Sequence, residues 1–387
     1  MGYDKVSRKI IYITGTRADY GLMKRVLEKI DSHPDLDLEI IATGMHLLEE
    51  FGHTIDEIEK DGFKIHKILS TFERDDKMSM AFFIGDFIKK LSSKVEKIDP
   101  DFILLLGDRA EMLAGAIVGC YMSIANVHLH GGEITSTVDE MARHAITKLS
   151  NLHLPANQKS AERIKRMGEN PEHVRVVGAP GLDFVLNEDP IPKKVLESRY
   201  EIDLSKPLIL VIQHPVTMEV ERAGEQMRKT LEVIKRLKHQ TILIYPNADA
   251  GGRKMIEEIK RYEDLDFIST FKNIPREDYI SLMRNSSVLV GNSSSGIIEA
   301  PSLNLPVVNI GTRQKGRERA ENVIDVEYDQ REIEDAIEIS LSDEKFNSKI
   351  KHIDNPYGDG RTSERITEIL SNIDINEELL QKELKFD

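Results

Sequence analysis

Short apolar runs alternate with amphipathic stretches along most of this chain, and that alternation predicts its elements. Residues 10–14, 36–43, 64–69, 101–106, 125–129, 152–155 and 174–177 have strand length and β-branched or aliphatic content. Several are continuously apolar rather than alternating, as a strand covered on both faces must be. Helix-like segments lie between them: to about residue 30 after the polar Gly15-Thr-Arg-Ala-Asp-Tyr-Gly21, then 78–98, a stretch ending at Tyr121, 141–149 and 158–167. Strands so regularly separated by helices imply βαβ units and a parallel sheet. The rhythm weakens between residues 178 and 206, around Pro180, Pro190 and Pro192, and restarts with strands at 208–212, 240–245, 267–269, 287–290 and 307–309. A last helix follows Thr362. The expected fold is α/β with two Rossmann-like domains, residues 1–180 and 181–361, followed by a C-terminal helix within 362–387.

Length and composition agree with that division. A chain of 387 residues exceeds one ordinary core, and 40% hydrophobic with 31% charged residues describes a globular protein. The net charge of −14 opposes nucleic acid or an anionic membrane as the main partner. A small anion is still admissible, because local arginines and backbone donors can outweigh the global field. Cys120 is the single cysteine; it cannot form an intrachain disulfide, and its apolar surroundings predict burial. The start of the chain has too few apolar residues for a signal peptide, and no stretch approaches the roughly 18 that a membrane span needs. A reducing cytoplasm is the expected setting.

Candidate chemistry gathers where strands end, which is where open parallel sheets bind ligands. In the first half these exits are Gly15-Thr-Arg17, Gly44, Gly107-Asp-Arg109 and His130-Gly-Gly-Glu133. In the second half they are Gln213-His-Pro215, Pro246-Asn247 and Gly291-Asn-Ser-Ser294. If the two sheets face each other, all point into one cleft. The run Val-Leu-Val-Gly-Asn-Ser-Ser-Ser-Gly-Ile-Ile-Glu (288–299) reads as strand, polar turn and amphipathic helix from about Gly296. Backbone N–H groups there, with Ser293, Ser294 and Ser295, suit an anion, and Glu299 could accept from ribose hydroxyls. It is not a P-loop, since the lysine and the glycine spacing are missing. The bland reading is an ordinary capped helix. Arg17 could reach a diphosphate or simply pair with Asp19; Asp108 could be a helix cap or a catalytic carboxylate. Glu133, behind two glycines, and His214, held extended before Pro215, read as functional groups. Asp139 precedes a helix start, where acids are favoured anyway. His128 and His130 share a strand face, but no spacing resembles a zinc signature, so no metal is expected.

Taken together, Gly15-Thr-Arg-Ala-Asp-Tyr-Gly, Gly107-Asp-Arg-Ala-Glu, His130-Gly-Gly-Glu, Arg143-His-Ala-Ile-Thr-Lys-Leu, Gln213-His-Pro-Val-Thr, Gly291-Asn-Ser-Ser-Ser-Gly and Gly311-Thr-Arg-Gln-Lys-Gly-Arg-Glu resemble the hydrolysing UDP-N-acetylglucosamine 2-epimerases. The resemblance spans residues 10–361 and implies a glycosyltransferase-B type fold whose C-terminal helix returns to the first domain. It implies anti elimination of UDP across C1–C2, then hydration of the glycal to the free 2-epimer, such as N-acetylmannosamine, with no cofactor. Asp108 and Asp139 match catalytic carboxylates and His214 an essential histidine. Arg17, Ala18, Arg109, Asn247, Ser293, Ser294, Ser295, Glu299 and Arg313 match the UDP site. Where the family carries its other catalytic glutamate this chain has His130, with Glu133 nearby, so either could fill the role. That departure leaves the sugar open: related enzymes use UDP-2,4-diacetamido-2,4,6-trideoxyglucose and feed legionaminic rather than sialic acid synthesis. A homodimer is also implied by the resemblance. The competing readings are a UDP-sugar glycosyltransferase and a non-catalytic UDP-sugar-binding regulator.

Overall fold

The computed structural model describes residues 7–48, 53–70, 77–134, 139–216, 218–247 and 250–385, with backbone alone at 77 and 139. Two compact units emerge. The first is built on Met1–Glu133, Val138–Phe184 and Tyr357–Asp387, and the second on Val185–Pro356.

Six parallel strands form the sheet of the first unit: β1 (Arg8–Thr14), β2 (Leu36–Ala42), β3 (Ile65–Lys67), β4 (Phe102–Leu106), β5 (Ala125–Leu129) and β6 (Leu152–Leu154). Their order is β3-β2-β1-β4-β5-β6, the doubly wound arrangement in which the chain reverses direction between β1 and β4. Alternate residues of β1 serve opposite faces. Ile10 and Tyr12 join the cluster under the helices Arg17–Asp31 and Thr362–Asn372, while Ile11 and Ile13 join the cluster under Lys77–Ile98 and Ala110–Met122. Both faces are therefore dry, which is why β4 reads Phe-Ile-Leu-Leu-Leu with every residue buried.

The second sheet repeats the scheme with β7 (Leu208–Ile212), β8 (Gln240–Ile244), β9 (Ile268–Phe271), β10 (Val288–Gly291), β11 (Val307–Ile310) and β12 (Val323–Val326), in the order β12-β11-β10-β7-β8-β9. Its reversal lies between β7 and β10. Glycine is obligatory at the end of β10: Gly291 has φ 133°, and a Cβ there would lie 2.0 Å from the carbonyl oxygen of Ile212.

Three expectations are corrected, and one strand was not foreseen. Residues 174–177 do not form a strand. Arg175 and Val177 donate to His153 and Pro155 carbonyls, but Pro155 has no N–H to return the ladder, and only a bridge at Val174 remains. Strand β12 escaped the pattern because, at the sheet edge, its residues are only partly buried and Asp325 interrupts its apolar run. The helix expected from Gly296 is a single turn, Ser295–Ile298; Pro301 then breaks the α-helical ladder, and a 3₁₀ turn follows at Ala300–Leu303. Cys120 is exposed, because the helix Ala110–Met122 buries Ala114, Gly115, Ala116 and Val118 and turns position 120 outward.

The helix Thr362–Asn372 inserts Ile366 and Leu370, both fully buried, beside residues of Arg17–Asp31. Leu370→Ala should destabilise the first unit by about 2–5 kcal/mol in urea denaturation. A loss below about 1 kcal/mol would mean that the helix is not part of that core.

Candidate functional site

In the first unit the exits of β1, β4 and β5 are built from buried charges that neutralise one another. Thr16 caps the helix Arg17–Asp31 and Asp19 closes a capping box, accepting from the N–H groups of Thr16 at 3.0 Å and Gly15 at 3.2 Å. The hydroxyl of Thr14 donates to the same carboxylate, and His46 Nε2 lies 2.9 Å from that hydroxyl. Burial pushes the Asp19 carboxyl up to about 6, against the lowering pull of Thr14 and Arg109. Arg109 forks onto Glu111 at 3.2 Å through both Nε and Nη2, with Asp19 3.9 Å away. Arg17 does not pair with Asp19; its Nε reaches Glu57 at 3.1 Å on the surface, and Ala18 follows it in the first turn.

Asp108 is not the helix cap. That place belongs to Arg109, whose side chain makes no capping bond, and Asp108 is instead held in a close ion pair by Nη2 of Arg143. Nη1 of the same arginine donates to the Glu133 carbonyl at 3.1 Å, so Arg143 ties the β4 and β5 exits together. His130 has φ 58°, and its Nδ1 lies 2.7 Å from Glu133 Oε1. A carboxylate only accepts, so Nδ1 carries the proton in this contact. The chain can turn so sharply because Gly132 (φ 73°) packs where a Cβ would sit 2.3 Å from the Ser160 carbonyl oxygen. His128 takes no part in this: buried, it contacts the Gly107 carbonyl oxygen at 2.7 Å and Thr147 at 3.1 Å, and burial drives its pKa down to about 3. Asp139 opens the helix Asp139–Leu149, but its side chain lies outside the described residues.

In the second unit Asn292 closes the exits of β7 and β10. Its carboxamide accepts from the His214 N–H at 2.7 Å and donates to the His214 carbonyl at 2.9 Å. Its own carbonyl accepts from Arg313 at 3.3 Å and Gln314 at 2.8 Å. His214 Nδ1 accepts the backbone N–H of Asn247 at 3.1 Å, which leaves the proton on Nε2. Burial, reinforced by Arg313, holds its pKa down at about 3, so the ring is a neutral donor rather than a cation. The 293–295 turn follows directly, with the Ser295 N–H 3.3 Å from Ser293 Oγ. Glu299, 5% exposed, pairs with Arg276 at 2.8 Å. The structure thus brings His214, Asn247, the three serines and Arg313 around one pair of strand ends, and Asp108, His130 and Glu133 around another.

Arg143 and Asn292 sit inside the recognised motifs, but nothing in their spacing told that each bridges two strand ends. Asn after a β10 glycine was the only visible signal.

Two doubly wound parallel units of this kind define the two-domain, glycosyltransferase-B-like fold class. The chain belongs to the UDP-N-acetylglucosamine 2-epimerase family, which its sequence matches over residues 28–371. It is 44% identical to a hydrolysing UDP-N,N'-diacetylbacillosamine 2-epimerase of Legionella pneumophila, over 97% of this chain and 98% of that one. A UDP-N-acetylglucosamine 2-epimerase of Neisseria meningitidis is 34% identical over 94% of this chain and 95% of its own. The fold matches the crystal structure of a Neisseria meningitidis UDP-GlcNAc 2-epimerase bound to UDP-GlcNAc, with a TM-score of 0.79, 20% identity, and coverage of 94% and 99%. Among the described residues no helix is long and apolar enough to cross a membrane.

The buried histidines make stability fall in acid. His46, His128 and His214 keep pKa values of about 4, 3 and 3 when folded, whereas the unfolded chain protonates them near 6.5. Asp19, raised to about 6, opposes them below that pH by binding a proton that the unfolded carboxylate lacks. From these four groups the unfolded state gains roughly two net protons near pH 5, a loss of about 2.7 kcal/mol per pH unit. Urea denaturation between pH 7 and 5 should show this decline; a flat profile would overturn the neutral buried rings.

Proposed function

We propose that this protein is a hydrolysing 2-epimerase that converts a UDP-2-acetamido sugar and water to UDP and the free 2-epimer. The observation that carries the reading is the pair of polar contacts at neighbouring strand ends, Asp108 with Arg143 and His130 with Glu133. The C2–H of a pyranose is weakly acidic, so removing it needs a placed base while the departing diphosphate is stabilised. In the first step C2–H loses its proton, the C1–O bond to UDP breaks, and a C1=C2 glycal forms. Water oxygen then adds to C1 while C2 takes a proton on its other face. Asp108, Asp139 and the His130–Glu133 dyad are the acid/base groups. His130, the more accessible member of the dyad at 16% against 4%, touches substrate, and Glu133 orients its ring. His214, a neutral donor through Nε2, hydrogen-bonds the leaving diphosphate together with the 293–295 turn, Asn247 and Arg313. Glu299 receives the ribose.

For the sugar, UDP-N,N'-diacetylbacillosamine, which is UDP-2,4-diacetamido-2,4,6-trideoxyglucose, ranks ahead of UDP-N-acetylglucosamine. The support is the 44% identity over almost the whole chain to the Legionella enzyme of that name, against 34% to the Neisseria UDP-N-acetylglucosamine enzyme. We place the protein in the cytoplasm, where nucleotide sugars are made, and expect a homodimer.

Proton NMR of the purified protein with each nucleotide sugar in deuterated buffer tests the reading. UDP together with the free 2-epimer, deuterated at C2, is the expected product, formed faster from the diacetamido sugar. Faster turnover of UDP-N-acetylglucosamine would reverse the substrate ranking, and a 2-epimer still bearing UDP would refute the hydrolytic step. Asp108→Asn should lower kcat by about a thousandfold with UDP affinity retained. If UDP binding is lost instead, Asp108 is not a catalytic carboxylate. His130→Asn at full activity would hand the base role to Glu133.

A further inference from the structure

The helix Arg276–Asn285 was not among the candidate elements, yet its first turn faces the serine turn of the second unit. Arg276 and Tyr279 are three residues apart and so share one face of that helix. Arg276 Nη2 holds Glu299 Oε1 at 2.8 Å. The Tyr279 hydroxyl is buried and lies within reach of the Ser295 and Ser293 hydroxyls. Its electrostatic neighbours are Glu299, Ser295, Arg276 and Ser293. A buried hydroxyl placed beside the serine turn is positioned to serve the same ligand as those serines. Here the surroundings say which ligand. Glu299 only accepts, and suits sugar hydroxyls; Tyr279, Ser293 and Ser295 donate, and suit anionic oxygens.

We infer that Tyr279 donates its hydroxyl proton to the diphosphate of a bound nucleoside diphosphate, and that Arg276 is the positioning residue that fixes Glu299 for the ribose hydroxyls. This rests on the reading that the 293–295 turn and Glu299 hold the nucleotide. Physically the arrangement answers a conflict. A buried carboxylate close to a diphosphate would repel it, and a carboxylate swinging freely would pay rotational entropy on meeting the ribose. The guanidinium of Arg276 neutralises the first effect and removes the second.

Calorimetric titration of the full chain with UDP and with 2′,3′-dideoxy-UDP, which keeps the diphosphate but lacks both ribose hydroxyls, separates the two roles. Wild-type protein should prefer UDP strongly. Tyr279→Phe should weaken both ligands by the same factor, about tenfold, leaving their ratio unchanged. Arg276→Gln should shrink the ratio toward one, and Arg276→Lys, which keeps the charge, should recover part of it. A merely structural Arg276 would shift the melting temperature without moving the ratio. If Tyr279→Phe binds UDP within twofold of wild type, or Arg276→Gln keeps the wild-type ratio, the corresponding assignment is wrong. Failure of wild-type protein to bind UDP at all is a different result: it would remove the nucleotide reading itself.

Discussion

The second unit depends on the carboxamide of Asn292. Where a doubly wound sheet reverses, two neighbouring strands send their chains to opposite faces and leave peptide groups with no strand to bond to. Asn292 answers both of the His214 peptide groups with one side chain, and its own carbonyl is gripped by Arg313 and Gln314. Position and tautomer of the His214 ring follow from that bracing, because the Asn247 N–H can occupy Nδ1 only if the ring is held in place. The serine turn then starts from a fixed point. Without this bridge the donors on β7 and β10 would be independent loops.

The first unit solves a different problem with the same economy. It concentrates carboxylates at its strand ends, where burial and mutual repulsion would otherwise neutralise or expel them. Arginines prevent that. Arg109 lies between Glu111 and Asp19, and Arg143 joins Asp108 to the β5 exit. Asp19, Glu111 and Asp108 each thereby have a guanidinium beside them. Glu133 in turn holds the His130 ring through Nδ1 at 2.7 Å.

Much of this was legible in the residues. The central strands β1, β4, β7 and β10 were readable because burial on both faces demands long apolar runs, a signal that survives without any alignment. The strand ends announced themselves as polar residues and glycines in fixed places. What could not be read depends on contacts distant in sequence. Arg143 meets Asp108 across 35 residues and Asn292 meets His214 across 78, and no local pattern encodes either. The turn at Pro155 defeated the 174–177 strand through one missing N–H, a partner's property rather than the segment's own. Edge strand β12 lacked the apolar run that its central neighbours carry. The exposure of Cys120 came from helix phase, which an apolar stretch as uniform as 114–125 conceals.

The first unit takes its last core residues, Ile366, Leu370 and Leu379, from the segment Tyr357–Asp387, which the ribosome makes only after the whole of Val185–Pro356. Lys382 in that segment is bound to Glu169, itself buried with His153. The unit that is begun first is therefore the one completed last. While the second sheet is being synthesised, the side of the helix Arg17–Asp31 that Ile366 and Leu370 will cover stays open, so the first core closes only when the end of the chain has been made.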